Sequence, residues 1–149
     1  MLDAVELSCS RGSRQLFSNL SMTVLAGRAL IVVGENGTGK TSLLRALCGF
    51  LTPDHGTILW QGHNIRQLRE GFRGQVVYLG HNNGIKDELT PIENQRVAAG
   101  LTGVDGTETR IVDALNAVGL RREIHSLPTR VLSQGQKRRV ALARLWLTE

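Results

Sequence analysis

A chain of 149 residues, 41% hydrophobic and 21% charged, is long enough for one domain with its own core and too apolar for a disordered tail. Its formal net charge of +5 suits anionic lipid, nucleic acid or polyphosphate, or a merely solvated basic face, while aromatics at 4% argue against a stacking surface for single-stranded nucleic acid. Cys9 and Cys48 form no CxxC pattern, no apolar run approaches the ~20 residues of a spanning helix, and "MLDAVELSCS" carries an acid where a signal peptide is basic, so reduced thiols and a cytoplasmic chain are expected.

"LDAVELSC" alternates apolar and polar residues and predicts a half-buried strand; "LSMTVLAG" alternates less cleanly and turns at Gly27. "RALIVVG" is a short apolar, β-branched run ending in Gly, the pattern of a buried parallel strand. In "KTSLLRALCGF" the spacing is helical, with Leu43, Leu44 and Leu47 on one face and Gly49 as a stop. "TPDHGTILWQGHN" predicts a turn, a strand over Thr57 to Trp60 and a second turn, and "QVVYLGH" another apolar strand. From Thr90 the period changes. "TPIENQRVAAGL" has a cap, Pro91 at the first helical position and Glu93 at the capping-box position; "ETRIVDALNAVGL" is amphipathic, with Ile111, Leu115 and Val118 together. "SQGQKRRVALARLWLTE" predicts a last helix that reaches Glu149 with no stop signal.

Between the apolar run and the first helix, Gly34, Gly39, Lys40 and Thr41 fit GxxxxGK[ST] without a gap. Glycines let consecutive N–H groups turn inward around a phosphate, Lys40 adds a cation, Thr41 offers a hydroxyl to Mg²⁺, and the new helix points its positive end at the anion. The loop Gly34, Glu35, Asn36, Gly37, Thr38, Gly39, Lys40, Thr41 and Ser42 is therefore a candidate ATP site, with Thr41 as its metal-facing residue. Further on, Ser133 and Gln136 in "LSQGQ" form an S-x-x-Q capping box, and the hydroxyl of Ser133 with the N–H of Gly135 makes a helix start suited to an anion.

"GENGTGKTSLLRALCGFLTPDHGTILWQGHNI" followed by "LSQGQ" resembles the nucleotide-binding domains of ABC transporters over essentially the whole chain. "ILWQG", "YLGHNNGIKDELTPIENQ" and "LSQGQKRRVALARLWL" narrow the likeness to the ATP-binding subunit of the cytochrome c maturation transporter, the haem exporter ATPase. The resemblance implies an α/β P-loop NTPase fold, an ABC-type domain spanning 1–149. An N-terminal antiparallel β-subdomain with the phosphate-loop core would occupy approximately 1–85, and an inserted helical subdomain with the signature helix 86–149. It implies ATP with Mg²⁺, and a head-to-tail homodimer in which Ser133, Gly135 and Gln136 of one copy meet the γ-phosphate held by the other. It further implies an integral-membrane partner contacted around Gly84 to Glu93, a peripheral place on the cytoplasmic face of the inner membrane, and no nucleic acid.

Two positions depart from the family pattern. Where most members carry an adenine-stacking aromatic, this chain has Arg11, which either stacks its guanidinium on the base or faces solvent in a turn. Where most carry Gln after "VVYLG", it has His81, followed by Asn82; His81 either holds water or Mg²⁺ or is structural. Lys137, Arg138 and Arg139 read as the outer face of the signature helix, and Trp60 as packed on the β-subdomain. None of the five aspartates (Asp3, Asp54, Asp87, Asp105, Asp113) ends an apolar strand. The expectation is therefore a front portion truncated before the Walker B strand, inactive alone, with hydrolysis in the complete protein. The competing functions are a non-catalytic nucleotide-binding fragment and an ABC ATPase for another cargo.

Overall fold

The computed structural model describes residues 1–148. Glu149, where the last helix is expected to run on, lies outside the described residues. The chain divides into two compact units, Met1–Val76 and Val77–Glu149.

The first unit is built on an antiparallel sheet of order β2-β1-β3-β4: β1 (Leu2–Arg11), β2 (Arg14–Val24), β3 (His55–Trp60) and β4 (His63–Asn64). In β1 the buried residues are Ala4, Leu7 and Cys9, a phase that strict alternation cannot produce. A register shift between Ala4 and Leu7, with Glu6 at φ 50°, resets it and returns Leu7 and Cys9 to the core face. Gly56 on β3 serves that irregularity. Its φ is +88°, and an added Cβ would sit 2.5 Å from the carbonyl oxygens of Val5 and Glu6.

Helix α1 (Lys40–Leu47) closes over the sheet through Leu43, Ala46 and Leu47. Leu44, expected on that face, is instead 42% exposed, because at the helical period Ala46 takes the third inward position. Two helices not anticipated from the pattern, α2 (Ile65–Leu68) and α3 (Glu70–Arg73), follow β4 and bury Ile65 and Phe72. Trp60 does pack on this subdomain. Its ring lies 5.9 Å from Phe72, and its Nε1 donates to Gln75.

The apolar run "RALIVVG" forms no strand. Residues 28–35 carry no ladder, and Ile31 and Val33 are 81% and 83% exposed. Only Val32 reaches the core. A strand of this composition needs neighbours on both edges and cover on both faces, and no segment among the described residues supplies them. "QVVYLGH" fails as a strand for the same reason, and residues 75–80 are likewise without a ladder.

The second unit is helical: α4 (Pro91–Thr102), α5 (Glu108–Ala117), α6 (Gln134–Leu142) and α7 (Arg144–Leu147). Its core joins Ala99, Ile111, Ala114, Leu115, Leu120, Val140 and Leu147. Thr90 caps α4 with the full capping box to Glu93 and Pro91 at its start, as the pattern predicts. The last helix is not continuous: it pauses at Ala143 between α6 and α7. Inside the unit, Gln95 is fully buried and donates to the carbonyl of Val140, and His125 bonds the carbonyl of Leu120. No helix among the described residues is long and apolar enough to cross a membrane.

Candidate nucleotide-binding site

The glycine loop is shaped by its own chain. Gly34, Gly37 and Gly39 all have positive φ, at 149°, 84° and 94°. Gly39 is the residue on which α1 starts, and an added Cβ there would lie 2.9 Å from the Cβ of Leu16 on β2. That close approach fixes where the helix begins relative to the sheet. The carbonyl of Glu35 accepts from the Thr38 hydroxyl at 2.9 Å and, together with the Gly34 carbonyl, from the Lys40 ammonium at 2.6 and 2.8 Å.

The Lys40 side chain is thus folded back along the loop, and its charge is held at the mouth of α1. No side chain caps α1, and no acid lies in its first turn. Among the described residues no acceptor takes the N–H groups of Lys40, Thr41 and Ser42. Free N–H donors, a helix start and one ammonium form a concentrated anion-binding surface. The Thr41 hydroxyl is exposed beside it. Among the described residues no cluster of three His, Cys, Asp or Glu could hold a metal. Of these residues, Thr41 would offer a Mg²⁺ one hydroxyl.

Arg11 is exposed at the hairpin end of β1, paired in register with Arg14. Arg14 is the one that reaches the loop, its Nη1 3.8 Å from where a Cβ on Gly37 would stand. Sequence reasoning passed over Arg14. The cross-strand pairing to Arg11 was the available signal, and it needed the hairpin register to be known.

In the second unit, Ser133 Oγ accepts from the Gln136 N–H at 3.2 Å, and the Gln136 amide oxygen accepts from the Ser133 N–H at 2.8 Å. The capping box is complete, and the Ser133 proton remains available to donate outward. Around Gly135 the space is open, since an added Cβ would meet nothing nearer than Ser133 Oγ at 4.0 Å. The unit's own packing therefore does not require a glycine at that position.

His81 is exposed and, with Asn82, lies in a bend. Of the basic run read as the outer face of the signature helix, Arg139 is exposed, whereas Lys137 and Arg138 are half-buried. Lys137 pairs with Asp87 at 2.7 Å, Arg138 donates to the Gly80 carbonyl and Arg139 to the Gly119 carbonyl, because bends nearby leave carbonyls that need donors. Cys9 and Cys48 are free thiols, and burial pushes both above the ordinary thiol range.

The model of the family described as ABC transporter matches residues 17–149. The chain belongs to the ABC transporter family. It is 54% identical to the cytochrome c biogenesis ATP-binding export protein CcmA of Nitrosomonas europaea, over 99% of this chain and 69% of that protein. Among solved structures it resembles an ABC transporter ATP-binding protein from Pyrococcus furiosus, with a TM-score of 0.87 and 28% identity over 98% of this chain and 70% of the other. A dimeric bacterial ABC transporter cassette, 18% identical, shares the fold with a TM-score of 0.83 over 97% of this chain and 68% of its own. The ABC chain is accordingly an ATP-binding, energy-coupling subunit of transporter-ATPase type. It spans about 70% of the length of these relatives.

Proposed function

We propose that this ABC subunit binds Mg²⁺-ATP and drives the export step of c-type cytochrome biogenesis, with haem as cargo. The observation that carries the nucleotide part is the loop of residues 34–42, with its free helix-start N–H groups and the Lys40 ammonium at its mouth. The cargo rests on likeness to proteins named for cytochrome c biogenesis export. In this reading Lys40 meets the β- and γ-phosphates, Thr41 faces Mg²⁺, and the glycines with Glu35, Asn36, Thr38 and Ser42 present backbone donors. Arg11 or its neighbour Arg14 contacts the nucleotide from the hairpin, and His81 acts near the attacking water.

Two copies assemble head to tail. Ser133, Gly135 and Gln136 of one face the γ-phosphate in the other, a role favoured by the free Ser133 proton and the open space at Gly135. The subunit sits on the cytoplasmic face of the inner membrane, and residues 84–93 meet an integral-membrane partner. Reconstituting the complete protein, where hydrolysis is expected, with its membrane partner in vesicles tests this. Haem-stimulated ATP hydrolysis is expected; hydrolysis indifferent to haem but stimulated by another cargo would refute the assignment of cargo.

A further inference from the structure

The stretch from Gly80 to Thr90 has almost no regular structure, yet it is stitched at nearly every step. Lys86 and Leu89 offer carbonyls to the Asn94 amide and to Thr129, Asp87 bonds Lys137 and the Arg130 N–H, and Arg144 donates to the Gly84 carbonyl. Asn94 and Thr129 are themselves buried, so this part is anchored in the core. Residues 80–83 are held differently. Among the described residues no hydrogen bond is made by His81 or Asn82, and the two positions flanking them are gripped by one side chain. The Nη1 of Arg138 donates to the Gly80 carbonyl at 2.9 Å and to the Asn83 amide oxygen at 3.3 Å. A terminal guanidinium nitrogen has two hydrogens, one for each acceptor, and its planar group fixes their direction in a way an ammonium cannot.

Arg138 lies on α6, five residues beyond the Ser133 cap. We propose that Arg138 is a positioning residue that makes the His81 loop move as one piece with the signature helix. It bridges the two ends of the His81–Asn82 bend and ties both to α6. A displacement at the Ser133 end of the helix is thereby passed to His81 without any contact between Arg138 and nucleotide. The proposal rests on the function proposed above, in which Ser133 and His81 both serve ATP turnover.

Backbone ¹⁵N order parameters of residues 80–84, measured alongside steady-state ATP hydrolysis on the complete protein in its membrane complex, test it. Arg138→Ala is expected to take this segment from about 0.85, a rigid backbone, to below about 0.6. The same variant should lower kcat roughly tenfold with KM for ATP within about twofold, because ground-state binding is untouched. Arg138→Lys should recover part of both. Asn83→Ala, which removes one acceptor and leaves the helix intact, should give a smaller change in the same direction and serves if Arg138→Ala fails to fold. Unchanged order parameters in both variants would overturn the grip, and lowered order parameters with unchanged kcat would overturn the positioning role. A wild-type complex that never hydrolyses ATP would refute the proposed function instead, and the order parameters would still decide whether Arg138 holds the loop.

Discussion

The ammonium of Lys40 lies 2.8 Å from the carbonyl oxygen of Gly34, the first glycine of the loop whose last glycine starts helix α1. The charge is stored against carbonyl dipoles in an exposed place and can turn toward an arriving phosphate at little cost. Charge-assisted hydrogen bonds contribute about 1.5–3 kcal/mol, so Lys40→Ala should weaken ATP binding about tenfold to a hundredfold. The melting curve should barely move, since the carbonyls left behind face water. Calorimetric titration with ATP checks this, and unchanged affinity would remove Lys40 from the site.

Gly39 makes a prediction about stability. Its φ of +94° and the 2.9 Å approach of Leu16 act together against any side chain. Gly39→Ala should cost about 1–3 kcal/mol for the backbone alone, more if Leu16 cannot yield, and should lower both melting temperature and ATP affinity. Gly62→Ala is the control, because Gly62 has φ +82° and nothing within 4 Å. It should show the backbone strain without the loss of affinity. Equal effects of the two changes on affinity would mean that the Leu16 contact does not shape the loop.

What was legible in the sequence follows from how local each signal is. The capping boxes at Thr90 and Ser133 involve residues three apart, and both formed as their spacing predicts. The GxxxxGK[ST] loop is equally local, and it stands between an extended segment and a helix. The strand predicted at "RALIVVG" does not form, because a parallel strand depends on neighbours that composition cannot supply, and Ile31 and Val33 are left exposed. Arg138 was misjudged for a similar reason. Its acceptor at Gly80 is 58 residues away, and no periodicity marks such a contact.

Glu93 gives a pH dependence with a definite sign. The Thr90 N–H, donating to Glu93 Oε2 at 2.8 Å, holds this carboxyl below the ordinary glutamate range, with the Thr90 hydroxyl adding to it. A lowered folded-state pKa contributes stability that is present above the ordinary range and lost as pH falls through the lowered value. The helicity of α4 should therefore weaken on acidification below the usual glutamate titration. Glu93→Gln keeps an acceptor oxygen and removes the charge, so its acid limb should be flatter than that of the wild type. Identical acid limbs by circular dichroism would show that the carboxylate form is not what the cap prefers.

At Ser133 stability and function can be separated. Ser133→Ala removes the acceptor for the Gln136 N–H and should cost about 1 kcal/mol, while Ser133→Asp restores a good cap. Thermal melts should therefore rank wild type and Ser133→Asp together, above Ser133→Ala. A melt in which Asp is as poor as Ala would mean that the box does not hold α6.

The central claim, that ATP is held between the phosphate loop of one copy and the signature helix of another, is tested most directly by the mass of the protein in solution. Light scattering with Mg²⁺-ATP should show a doubling of mass that Lys40→Ala abolishes. Ser133→Asp should abolish it too, by placing a carboxylate against the γ-phosphate, although its ATP affinity as a monomer is kept. A Ser133→Asp protein that still doubles its mass with ATP, or a wild type that binds ATP tightly and stays monomeric at every concentration, would contradict it.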